Sequence, residues 1–237
     1  MASKKNRYST CVSVAKGGPA AMRRALLEAL RRSEYAEARL DYMRPDDVPG
    51  LLDSLPPDLL RRRIVCTVRN RRDGGRYEGQ EGARYDMLGR VAAYRPFMLD
   101  VEYDALKRSR RLAGALHASG ARLLVSWHSF ARTPSPDALR RRMQGMFRYS
   151  DRVKLACMAR NADESIRMLE MYRWVGSRGA GGGRRTLISF AMGDAGRLTR
   201  VLCMQLGSPY AYVSLGRAVA PGQLSLEEFR RLGRMLK

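Results

Sequence analysis

The stretch that decides the fold runs from residue 122 to residue 158. It reads Arg122-Leu-Leu-Val-Ser-Trp-His128, then Ser129-Phe-Ala-Arg-Thr-Pro-Ser-Pro136, then a segment of helical spacing, then Arg152-Val-Lys-Leu-Ala-Cys-Met158. Each flanking run is short, largely apolar and of strand length. Between them Leu139, Met143 and Met146 fall on one helical face. Pro136 suits the first helical position, with Ser135 as its cap. The stretch is therefore one strand–helix–strand unit.

The same alternation extends outward over the whole chain. Further strands are expected at Tyr8–Val14, Ala38–Tyr42, Ile64–Arg69, Phe97–Glu102, Thr186–Ala191 and Tyr210–Leu215. Met22, Leu26 and Leu30 share a helical face behind Pro19. Ile166, Leu169 and Tyr172 are read as another, opened by an Asn161/Glu164 capping box. Eight such units at a spacing of about 30 residues match a (β/α)8 TIM barrel in class α/β. The whole chain, 1–237, reads as a single catalytic domain, with a doubly wound sheet as the alternative. The glycine-rich Gly176–Gly183 follows a helix and precedes a strand, which is the wrong order for a phosphate loop. It reads as a connection on the face away from the site.

Composition narrows the function. The chain has 237 residues, and 45% are hydrophobic, enough for a sizeable core. No apolar run approaches the roughly 20 residues of a membrane span. The opening MASKKNRYST lacks the apolar stretch of a secretory signal. Cys11, Cys66, Cys157 and Cys203 form no CxxC pair, which excludes a zinc knuckle and suits a reducing cytoplasm. The net charge is +22, but the arginines are scattered in pairs and triplets without an aromatic stripe. They read as a solvated surface, so neither nucleic acid nor membrane is an expected partner.

The chemistry sits on strand faces. Residues two apart point the same way. Glu37, Arg39 and Asp41 share one face. So do Thr67 and Arg69, Asp100 and Glu102, Ser126 and His128, and Lys154 and Ala156, with apolar residues opposite each set. Buried charge is costly unless paired or used. Five strands with polar inward ends therefore describe a site at the barrel mouth. Of 45 basic residues only six are lysines, and Lys154 alone lies within an apolar run. A lysine in a cavity lined by Arg69 and Arg200 is suited to condense with a carbonyl, which arginine cannot do. His128 is the candidate proton shuttle and Glu102 its orienting carboxylate. With only His117 besides His128, no histidine metal site is expected.

Taken in order, these residues resemble the type I 3-dehydroquinate dehydratase family. The match covers nearly the whole chain. It comprises Cys11–Ala15 as first strand, Glu37-x-Arg39-x-Asp41, Thr67-x-Arg69 with Asp73-Gly74-Gly75, Asp100-x-Glu102, and Ser126-x-His128-x-Phe130 with Thr133-Pro134-Ser135. It continues with Val153–Ala156, Met192-Gly193-x-x-Gly196 with Thr199-Arg200, and Ala220–Gln223. The resemblance implies dehydration of 3-dehydroquinate through an imine on Lys154, with no metal and no other cofactor. It implies catalytic Lys154, His128 and Glu102, and substrate contacts from Ser13, Glu37, Arg39, Arg69, Arg200 and Gln223. It also implies a lid over 219–223 and a homodimer, for which Leu202, Met204 and Leu206 offer apolar surface. Val219, Ser129 and Tyr212 depart from common family residues. Two rivals remain at this stage, a class I aldolase sharing the lysine chemistry and a non-catalytic nucleic-acid binder.

Overall fold

A computed structural model describes residues 8–175, 184–216 and 218–235. The Gly176–Gly183 stretch lies outside the described residues.

Eight strands are present: β1 (Thr10–Val14), β2 (Tyr35–Arg39), β3 (Ile64–Thr67), β4 (Met98–Glu102), β5 (Leu123–Ser129), β6 (Arg152–Met158), β7 (Thr186–Met192) and β8 (Ala211–Val213). All paired strands are parallel, in the order β7-β6-β5-β4-β3-β2-β1-β8. Helices fill the connections: α1 (Pro19–Arg32), α2 (Asp47–Ser54), α3 (Pro57–Arg63), α4 (Glu81–Ala93), α5 (Tyr103–Arg108), α6 (Arg110–Ala118), α7 (Pro136–Met146), α8 (Ala162–Glu170) and α9 (Thr199–Gln205), with α10 (Leu226–Met235) following the last strand. The result is a nearly closed (β/α)8 barrel.

Alternation along each strand divides the apolar residues into two layers. Outward residues such as Val12, Ala38, Cys66, Leu99, Val125, Val153 and Leu155 pack under the helices against Met22, Leu88, Leu116, Leu139 and Met143. Inward residues near the strand starts form a separate cluster that includes Cys11, Val65, Met98, Leu124, Ile188 and Tyr210. That cluster plugs the lower barrel, as layered side chains do in this architecture. Above it the inward positions turn polar: Ser13, Glu37, Thr67, Asp100, Ser126 and Lys154 are all buried. Register places Thr67 beside Asp100 and Ser126 beside both Glu102 and Lys154, so polar inward positions adjoin from strand to strand.

Several local expectations need correction. The second strand starts at Tyr35 and ends at Arg39, and Leu40–Tyr42 form a 3₁₀ turn. Asp41 is therefore off the strand. On α8 the buried residues are Glu164, Ser165 and Met168, while Ile166 is exposed. The helix tucks its small and flexible side chains inward and leaves the branched one out. Asn161 Oδ1 does accept the Glu164 amide at 2.9 Å, but the Glu164 carboxylate reaches back to the Arg160 amide rather than to Asn161. Ser135 occupies the N-cap of α7 without a side-chain capping bond. Of the three residues assigned to an interface, Met204 is buried within the chain, Leu202 is partly buried and only Leu206 is exposed. The four cysteines are free and buried. No helix among the described residues is long and apolar enough to cross a membrane.

Candidate active site

A cavity of about 100 Å³ opens at the C-terminal ends of the strands. Ser13, Glu37, Arg39, Arg69, His128, Lys154, Arg200 and Gln223 line it, so eight side chains scattered over 211 positions of sequence meet in one place. Strand pairing explains the convergence, since neighbouring barrel strands run roughly 5 Å apart.

Lys154 Nζ lies on the wall of this cavity. It donates to Asp100 Oδ2 at 2.6 Å and sits 4.6 Å from the centre of the Tyr212 ring. The sequence pointed to cations as its neighbours, but its immediate charged partner is an anion. Asp100 Oδ1 accepts from Ser126 Oγ at 2.6 Å and faces Arg69 Nη2 at 2.7 Å. Burial alone raises the pKa of Asp100, but Arg69, Lys154 and His128 outweigh it and hold the carboxyl below the ordinary range.

Every buried acid here is occupied. Glu37 accepts from Ser13 Oγ and Thr67 Oγ1, both at 2.8 Å. Asp41, although off the strand, grips Arg39 through two bonds of 2.9 and 2.7 Å and fixes its guanidinium. Arg200 is different. Its Nη2 donates to the Pro221 carbonyl at 2.9 Å, its guanidinium lies 4.3 Å over the Phe190 ring, and its Nε has no partner. It has no acidic partner among the described residues. Burial lowers its pKa to about 10. An acid-less buried guanidinium open to a cavity is a site prepared for an anion.

His128 presents its ring to the same cavity, stacked beside Phe130 with centroids 6.2 Å apart. Its Nδ1 is buried without a hydrogen bond. Burial first, then the positive charges of Arg69 and Lys154, push its pKa well below the usual histidine value. These surroundings favour the neutral imidazole, the form a general base requires.

Glu102 does not take the position that sequence reasoning gave it. It does not line the cavity, and no hydrogen bond joins it to His128. Its Oε2 is held by Arg84 at 2.7 Å and its Oε1 by Arg69 at 3.3 Å, so arginines have claimed both oxygens. Besides Glu37, which Ser13 and Thr67 occupy, the carboxylate that lines the cavity with His128 is Asp73. It follows Arg69 on the 3₁₀ turn after β3, with its amide tied to Asn70 Oδ1 at 2.8 Å. Burial, then Glu102, raises its pKa. Its signal in the sequence was the Gly74-Gly75 pair behind it. A Cβ on Gly75 would overlap the Arg69 carbonyl, so only glycine lets the turn fold back under the strand end.

The segment 219–223 covers one side of the cavity. The Val219 amide donates to Gln223 Oε1 at 2.9 Å, and Gln223 Nε2 donates to Ser13 Oγ at 3.3 Å. Gly222 has φ +68°, and a Cβ there would overlap the Gly193 carbonyl. This close approach locks the segment to the turn after β7.

The family model of type I 3-dehydroquinase matches residues 10–237. A 3-dehydroquinate dehydratase of Pyrobaculum aerophilum is 33% identical over 81% of this chain, which spans 60% of that relative's length. One of Methanopyrus kandleri is 29% identical over 89% of this chain and 91% of its own. The crystal structure of 3-dehydroquinate dehydratase from Geobacillus kaustophilus superposes with a TM-score of 0.81 at 22% identity, over 97% of this chain and 91% of that one. Matched by the family's model over nearly the whole of its own length, this chain belongs to the type I 3-dehydroquinase family.

Proposed function

We propose that the protein dehydrates 3-dehydroquinate to 3-dehydroshikimate and water through an imine on Lys154. The observation that carries this reading is one cavity lined by Lys154, His128 and the acid-less Arg200. The substrate has a ketone, an acidifiable C–H beside it and a carboxylate, and each finds its counterpart.

Arg200 clamps the carboxylate, while Glu37, Arg39, Arg69, Ser13 and Gln223 surround the ring hydroxyls. As the free amine, Lys154 adds to the C3 carbonyl carbon, and loss of water leaves the C=N bond. The iminium draws the electron pair of the C2–H bond, and His128 takes the proton. The pair returns to form the C1=C2 double bond as the C1–O bond breaks. His128 gives its proton to the leaving oxygen, which departs as water. A second water hydrolyses the imine, restoring Lys154, so one water is released overall. The imine serves as the electron sink, and no step draws on a metal or other cofactor. Asp73 replaces Glu102 as the carboxylate proposed to orient His128.

The same reading places the protein in the cytoplasm as a homodimer of single-domain barrels, at the third step of chorismate and aromatic amino acid biosynthesis. The direct test is turnover. Protein mixed with 3-dehydroquinate should generate the ultraviolet absorbance of a conjugated enone, and Lys154→Ala should not. Folded protein that produces no enone would remove the assignment.

A further inference from the structure

Arg84 stands outside the cavity, and the proposed reaction does not use it directly. It lies on α4 among that helix's buried residues Met87, Leu88 and Val91. A leucine or methionine fills such a position without desolvating a charge. The chain places there an arginine with 0% exposure, at a cost of several kcal/mol unless the charge is used. Its Nη1 donates to the Val68 carbonyl at 3.1 Å and to Glu102 Oε2 at 2.7 Å. The contacts continue inward. Glu102 Oε1 meets Arg69 Nη1 at 3.3 Å, Arg69 Nη2 meets Asp100 Oδ1 at 2.7 Å, and Asp100 Oδ2 meets Lys154 Nζ at 2.6 Å. An unbroken line of buried ion pairs therefore runs from the helix layer to the nucleophile.

We propose that Arg84 is a positioning residue whose charge balances the buried cluster when Lys154 is a neutral amine. While Lys154 carries its proton, Arg69 and Lys154 offset Asp100 and Glu102. Once that proton leaves, one positive charge inside the barrel is missing, and Arg84 supplies it from behind Glu102. Glu81, the other acid on Arg84, has a side chain 45% exposed, so solvent screens its opposing charge. The pairing also holds Glu102 in place, and Glu102 in turn fixes Arg69 at the cavity wall.

The inference rests on the proposed imine chemistry, and its test separates the two. The measurement is the pH dependence of kcat/KM, whose acid limb reports groups that must be deprotonated. The titratable and charged groups around Lys154 are Glu37 and Arg39 from β2, Arg69 and Asp73 from the segment after β3, Asp100 from β4 and His128 from β5. Arg200 from α9, Tyr212 from β8 and Cys11 from β1 complete the set. None of these changes in the variants. Arg84→Met removes a positive charge, favours the protonated forms, and should move the acid limb to higher pH by about half a unit. Glu102→Gln removes a negative charge and should move it to lower pH. The double variant should bring it back toward the wild type.

A residue that merely filled space would damage activity without opposite shifts. An unmoved limb in folded Arg84→Met overturns the inference, whatever happens to kcat. If Arg84→Met does not fold, Glu102→Gln decides, and a limb that stays or rises overturns it. Failure of the wild-type protein to turn over substrate counts against the imine reading itself, whereas normal turnover with unshifted limbs counts against the role of Arg84 alone.

Discussion

At the scale of single residues, the site carries charges that make sense only with a ligand present. Arg200 is the clearest case, a buried guanidinium with no acid against it among the described residues. Arg200→Met should raise the KM for 3-dehydroquinate and lower kcat/KM roughly 100-fold, the worth of about 2–3 kcal/mol in hydrogen bonds to a charged group. The same change should raise the melting temperature of the ligand-free protein, because it removes an uncompensated buried charge. Steady-state kinetics and thermal melts of one variant check both halves. His128 gives a second prediction. Its folded pKa lies below the unfolded value of about 6.5. As pH falls through that value, the unfolded chain takes up a proton that the folded site refuses, so stability is lost on acidification. Denaturant titrations between pH 7 and 5 should show a shallower loss for His128→Gln than for wild type, while turnover of that variant falls about 10²–10⁴-fold. Asp73→Asn should lower kcat more than it raises KM, since Asp73 is proposed to act through His128. Equal kinetics for Asp73→Asn and wild type would return the orienting role to another group.

At the scale of elements, the strands were more legible than the turns that follow them. The period-two pattern around Asp100, Ser126 and Lys154 exposed their shared face, because a barrel strand has only two faces. The same pattern misled at Asp41, which continues the alternation in sequence after the backbone has already turned into a 3₁₀ helix. Glu102 was misread for a related reason. Parity places it on the inward face correctly, but parity does not show that Arg84, on a helix 18 residues earlier, takes one of its oxygens. Asp73 stands in the sequence as the acidic member of Asp73-Gly74-Gly75, but a loop residue has no periodicity to betray its direction, so strand parity assigns it no role. Ile166 shows the limit of helical spacing on a short helix, because the side that is buried carries Glu164 and Ser165 beside Met168 and does not look apolar in sequence. The cap of α8 is testable at this scale. Asn161→Ala removes the bond to the Glu164 amide and should cost about 1 kcal/mol, read from denaturant midpoints at unchanged activity.

At the scale of the whole molecule, one apolar plug and one polar layer divide the barrel interior. The lower cluster around Val65, Met98, Leu124 and Ile188 supplies packing. The layer above it supplies a dense set of paired charges, and Arg200, without an acidic partner among the described residues, faces the cavity together with Lys154. The rigidity of the lower layer is what allows charges so close together to hold one arrangement. The central claim is that Lys154 forms a covalent imine with the substrate. The measurement is borohydride trapping: protein is mixed with 3-dehydroquinate, reduced with sodium borohydride, and its peptides are mapped by mass spectrometry. The account predicts a stable adduct on Lys154 that is absent from Lys154→Ala. Folded, active protein that yields no adduct, or an adduct on another residue, would contradict it.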